Sequence, residues 1–160
     1  MKLAIDRAYE EYADHVFAVA FNVCQSRADA EDVVQDTFIK YNSSKKDFAD
    51  EEHIRAWILR VAINRAKDIR TSFWRKNMVA WDEYMTELSF EEPEDERLFQ
   101  AVMNLPTKYR TVIHLHYYED YGIKEIAQIL HSREGTIKSQ LSRGRTLLKN
   151  MLKEEWDIDE

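Results

Sequence analysis

Apolar residues recur at helical spacing along most of the chain, most sharply in residues 121–152, YGIKEIAQILHSREGTIKSQLSRGRTLLKNML. Ile123, Ile126, Ala127 and Leu130 fall at i, i+3, i+4 and i+7, one face of an α-helix that must be covered. After a break at His131, Ser132, Arg133 and Glu134, a second stripe runs through Ile137, Leu141, Gly144 and Leu148. Lys138, Ser142, Arg145 and Lys149 share another face of that second helix. Two helices of different surface chemistry joined by so short a break predict a helix-turn-helix. Gly144 lets the second helix approach a neighbour closely.

The same pattern predicts further helices upstream. One spans about Leu3 to Cys24, polar at first and apolar nearly all round after His15. Ser26 is placed to cap a second, with Ala30, Val33, Val34, Thr37, Phe38 and Tyr41 on one side and Glu31, Asp32, Gln35 and Asp36 on the other. A polar loop, Asn42 to Glu52, precedes a third helix from about Glu51 to Lys76, whose core stripe is Ile54, Trp57, Ile58, Val61, Ala62 and Ile69. Glu94 to Leu105 predicts a short helix with Leu98, Val102 and Leu105 inward, ended by Pro106. Thr107 is placed to cap another helix to about Tyr118, packing through Val112, Ile113, His116 and Tyr117. No stretch alternates as a strand, and with three Gly and two Pro in 160 residues the expected fold is all-α, in two small helical domains.

Charge sets the domain boundaries. Residues 77–96 hold eight acids and no Lys or Arg, which reads as a solvated tether between domains at 1–76 and 94–160, with the linker at 77–93. The flanks are nearly neutral, so the net charge of −7 resides mainly in the connector. Against that background two helices are basic. Arg133 to Lys153 carries six Lys or Arg against one acid, and Arg55 to Lys76 seven against one. Basic helices in an acidic chain point to a polyanion.

The candidate chemistry is recognition. Thr136, Lys138, Ser139, Gln140, Ser142 and Arg143 lie in the first turns of the last helix, where short polar side chains and cations meet base edges and flanking phosphates in a major groove; Arg145 and Lys149 follow along the backbone side. Arg60, Asn64 and Lys67 follow i, i+4 and i+7, an amide flanked by two cations. Phe48, Trp57, Phe73 and Trp74 nearby are able to stack on unpaired bases or to close the bundle. His114 and His116 stand two apart, on different faces of a helix, so no metal site is expected. Cys24, the only cysteine, reads as a core thiol. No nucleophile with its base, paired carboxylates or phosphate-cradling glycine loop appears, so neither catalysis nor a cofactor is expected. The apolar run at 15–24 is too short to span a bilayer and no leader pattern precedes it, which predicts a cytoplasmic protein. A dimeric helix-turn-helix regulator and a helical adaptor remain alternatives on these grounds, although the first leaves the amino-terminal half unexplained.

Four motifs in order make the resemblance specific: AEDVVQDTF at 30–38, AWILRVAINRAKD at 56–68, LPTKYRTVIHLHYYEDYGIKEIAQIL at 105–130 and EGTIKSQLSRGR at 134–145. The chain resembles an extracytoplasmic-function sigma factor of the bacterial sigma-70 family over roughly residues 1–76 and 94–152. That resemblance implies an initiation factor for core RNA polymerase, which it meets at the β′ clamp and β flap. Asp32, Gln35, Asp36 and Phe38, with Lys40 nearby, would bind the clamp. Arg60, Asn64, Arg65 and Lys67 would recognise the −10 element, with the Asn42 to Glu52 loop forming a pocket for a flipped base, and melting would need no ATP. The last helix would read the −35 element in duplex promoter DNA. An anti-sigma factor is the further partner the resemblance implies.

Overall fold

The computed structural model describes residues 1–73 and 93–158, and all regular structure among them is helical. They form two compact units. The first comprises α1 (Ile5–Cys24), α2 (Arg27–Ser43) and α3 (Glu51–Phe73); the second comprises α4 (Pro93–Met103), α5 (Thr107–Ile113), a π turn (His114–Tyr118), α6 (Ile123–Leu130) and α7 (Glu134–Ile158). Residues 77–92 of the expected linker, and the side chains of Phe73 and Trp74, lie outside the described residues.

In the first unit each helix packs on the other two. Gln25 closes α1 in a left-handed conformation (φ 56°), its N–H donating to Phe21 O at 2.8 Å. The next residue, Ser26, caps α2 by accepting from Asp29 N at 3.2 Å, so only two residues turn the chain. The inward side of α2 is the one its spacing predicts, Ala30 through Tyr41. Leu3 is buried but precedes α1, where its carbonyl accepts from the Tyr41 hydroxyl at 2.7 Å. Asp50 starts α3 by accepting from His53 N at 2.8 Å.

The buried face of α3 is rotated from the expected stripe. Ile54, Ile58 and Ala62 are inside, joined by Leu59, Ile63 and Ala66, whereas Trp57, Val61 and Ile69 are only half-buried at the flank. Burying each of Ile54, Ile58, Leu59 and Ile63 contributes roughly 1.5–3 kcal/mol. Apolar burial therefore fixes the rotation of α3, and that rotation decides which polar residues face outward.

In the second unit α7 packs against α4, α5 and α6. Gly144 lies against α5. A Cβ there would stand 2.8 Å from Ile113 Cδ1 and 3.3 Å from Tyr109 Cβ. The turn between α6 and α7 is a Schellman closure on a non-glycine residue: His131 takes φ 51°, and Ser132 N donates to Ala127 O at 2.9 Å.

Several expectations are corrected here. Leu98 is 44% exposed and Val102 only half-buried, while Ala101 and Met103 turn inward beside Leu105, which is buried as expected. Thr107 is the first residue of α5, preceded by Pro106 at the cap position, which offers no side-chain bond. The helix beginning at Thr107 does not continue as α to Tyr118, because the π turn adds a residue to the circuit. Leu115 becomes the buried residue and Tyr117 is 57% exposed.

Candidate nucleic-acid interface

Between α2 and α3 lies a groove of about 300 Å³ lined by Asp36, Thr37, Lys40, Trp57, Arg60, Val61, Asn64, Arg65 and Asp68. The α3 rotation makes it. With Ile58 and Ala62 inside, Arg60 is half-exposed and Asn64 exposed. Trp57 supplies an aromatic wall, backed by Phe48 at 5.6 Å and Tyr41 at 6.1 Å between ring centroids. Arg65 Nε donates to Asp36 Oδ2 at 2.8 Å across the groove. Lys67, the third member of the expected trio, is exposed but does not line it.

The 42–52 loop contributes no wall to this groove. Phe48, expected as a stacking surface, is buried beneath Trp57 and Tyr41, because its backbone is drawn in by Phe48 N donating to Met1 O at 2.9 Å. Thr37 is wholly buried in the groove wall, and its Oγ1 has no hydrogen-bond partner among the described residues.

On the outer side of α2, Asp32, Gln35 and Lys40 are exposed and Asp36 half-exposed. Phe38 is corrected: it is 5% exposed, with its ring edge-on to Tyr9 at 5.1 Å, because it belongs to the buried side of the helix. Its neighbour Ile39, which the spacing did not single out, is 67% exposed and stands four residues beyond Gln35. A large apolar side chain among acids on an outer face was the available signal.

On α7, Thr136, Lys138, Ser139, Ser142, Arg143, Arg145 and Lys149 are exposed and Gln140 half-buried, while Ile137, Leu141 and Gly144 face inward. The polar and cationic groups therefore occupy one accessible surface of a helix held from behind. The guanidinium of Arg145 lies over the Tyr117 ring, 5.7 Å from its centroid. Half-buried His114 and buried Glu119 approach to 3.4 Å between Nε2 and Oε1. Cys24 is half-buried, with Sγ 3.6 Å from Ala66 O. No group of His, Cys, Asp and Glu among the described residues is arranged to hold a metal, and no helix among them is long and apolar enough to cross a membrane.

Both helical units match known protein families. Sigma-70 region 2 matches residues 8–78 and Sigma-70, region 4, matches residues 95–148. The ECF RNA polymerase sigma-E factor of Haemophilus influenzae is 31% identical over 144 residues, covering 79% of this chain and 76% of that protein. The ECF RNA polymerase sigma factor SigL of Mycobacterium tuberculosis is 30% identical over 154 residues, with 91% and 87% covered. SigW of Bacillus subtilis is 28% identical over 160 residues, with 89% and 86% covered. The sigma factor RpoE of Bartonella quintana, solved in complex with the anti-sigma factor NepR, shares the fold at a TM-score of 0.73 and 21% identity, covering 92% of this chain and 96% of that one. The chain belongs to the sigma-70 family as an ECF sigma factor, a protein of transcription initiation.

Proposed function

We propose that residues 1–76 bind core RNA polymerase and read the −10 element, that residues 94–160 read the −35 element, and that the acidic segment 77–93 tethers the two. The observation that carries this reading is the α2–α3 groove, where exposed Asn64 stands beside Trp57, Arg60 and Arg65. An amide able to hydrogen-bond a base edge, an aromatic wall able to stack on the base and cations for its phosphates are the chemistry that holds an unpaired strand. Flipping a base costs a few kcal/mol, which these contacts offset without ATP.

Polymerase engages the outer side of α2 through Asp32, Gln35, Asp36 and Lys40, with exposed Ile39 rather than buried Phe38 as the apolar contact. On α7, Thr136, Lys138, Ser139, Gln140, Ser142 and Arg143 meet base edges and near phosphates, and Arg145 and Lys149 follow the backbone. The β flap receives the second unit, and an anti-sigma factor masks both units in the uninduced cell. The protein works in the cytoplasm by recognition, with no bond made or broken by its own groups.

Two substitutions test the division of roles. Asn64→Ala leaves binding to core polymerase intact and impairs open-complex formation. Arg143→Ala weakens duplex recognition by about 1–3 kcal/mol if it reads a base. Equal loss of polymerase binding in both variants would sink the assignment.

A further inference from the structure

The π turn has a consequence on the surface of the second unit. In an uninterrupted α-helix from Thr107, Tyr117 would lie on the stripe of Val112, Ile113 and His116, facing the core. The extra residue in the π turn gives the inward place to Leu115 and leaves Tyr117 outside. There its ring meets the guanidinium of Arg145, which comes from α7. Neighbouring groups hold the ring: His116 lies edge-on to Tyr117 at 4.7 Å between centroids, and His116 Nδ1 is hydrogen-bonded to Tyr121 O at 2.8 Å.

A guanidinium over a ring face keeps its N–H donors in its own plane, directed outward at the edges, where a phosphate can meet two of them. A free arginine side chain must lose most of its rotamer freedom to make that contact. One already confined by an aromatic face loses less. We infer that Tyr117 is a positioning residue for Arg145, confining its guanidinium for a backbone phosphate of duplex DNA. The inference rests on the reading of α7 as the duplex-binding helix. It adds to that helix a residue from the π turn that touches no DNA.

A phosphate contact is independent of sequence, so any duplex serves as probe. Full-length protein is titrated into a labelled mixed-sequence duplex at several salt concentrations, with thermal unfolding recorded for every variant. Arg145→Ala lowers the magnitude of the salt slope by about one, the mark of one lost phosphate contact. Tyr117→Leu weakens binding about twofold to fivefold, the range of an exposed cation–π contact, and Tyr117→Phe, which keeps the ring, restores wild-type affinity. In the Arg145→Ala background Tyr117→Leu has no further effect. Wild-type or tighter binding by Tyr117→Leu overturns the inference alone, as does additivity of its loss with that of Arg145→Ala. So does weakened binding by Tyr117→Phe at an unchanged unfolding midpoint, because the hydroxyl would then be the contact. A wild-type protein that does not bind duplex at all overturns the reading of α7, and this inference with it.

Discussion

Arg65 Nε and Asp36 Oδ2 meet at 2.8 Å, joining the helix proposed to face polymerase to the helix proposed to face the −10 element. Both side chains are nearly half exposed. An ion pair in that setting is worth about 0.2–1 kcal/mol, less than any one of the buried α3 side chains. A double-mutant cycle with Asp36→Asn and Arg65→Gln, read by chemical unfolding, is therefore expected to give a coupling below about 1 kcal/mol. The same Arg65→Gln change is expected to impair open-complex formation more than stability. A coupling of several kcal/mol would mean that the pair, not the apolar core, sets the rotation of α3.

Arg110 is 2% exposed yet cationic, and its guanidinium spans the end of α4 and the start of α5. Nη1 donates to Leu105 O at 2.7 Å and to Met103 O at 3.4 Å, and Nη2 to Thr107 Oγ1 at 3.4 Å. A lysine ammonium cannot reproduce that fork. Arg110→Lys is expected to destabilise the second unit by about 2 kcal/mol, through buried acceptors left unmet. Near-neutral unfolding energetics would show that these carbonyls find other donors.

The helical faces of α2 and α7 were legible because Ala30, Val33, Val34, Phe38 and Tyr41, and Ile137 with Leu141, are apolar at helical spacing with polar residues on the other faces. The π turn was not, since its extra residue leaves no mark in composition and moves His116 and Tyr117 off the stripe a straight helix would give them. Arg110 escaped notice for a related reason. A charged residue reads as solvated unless the freed carbonyls at a helix end are known to surround it. Phe48 sits in a polar loop, and its burial depends on Tyr41, Trp57 and the Met1 backbone, all distant in sequence or across a turn. In the candidate groove, Asn64 and Arg60 were recognisable by spacing and Arg65 only by the family resemblance, while Lys67 falls outside it and the α2 wall of Asp36, Thr37 and Lys40 is a product of packing.

Gly144 sits in mid-helix, where alanine would ordinarily add up to about 1 kcal/mol of helix stability. Here the added carbon meets Ile113 Cδ1, which can swing aside, and Tyr109 Cβ, which is fixed to its backbone. Overpacking costs typically about 1–3 kcal/mol and outweighs the gain. Gly144→Ala is expected to destabilise the second unit by about 1 kcal/mol and Gly144→Val by more, both measured by denaturant midpoints. Stabilisation by alanine would show that α5 yields without cost.

Tyr12 is buried in the first unit, with its hydroxyl 3.4 Å from Glu51 O. Burial, reinforced by Glu11, Glu51 and Glu52 and opposed by Arg55, pushes its pKa from 10.0 up to about 12. The folded state thus keeps a proton that the unfolded state releases first. The stability from neutral Tyr12 is complete below pH 10.0 and is lost as pH rises towards about 12. Urea unfolding across that window is expected to show a shallower decline for Tyr12→Phe than for the wild type. Parallel declines would mean that the tyrosine ionises at its ordinary value.

One chain is proposed to direct polymerase to a promoter with two recognition elements. That role is tested most directly by adding the purified full-length protein to bacterial core RNA polymerase with a library of promoter fragments and sequencing the transcripts. Discrete start sites preceded by two shared elements are expected, with initiation lost when Asn64→Ala replaces the wild type. Start sites that do not depend on the protein, or none from a folded preparation bound to its cognate core enzyme, would contradict that role.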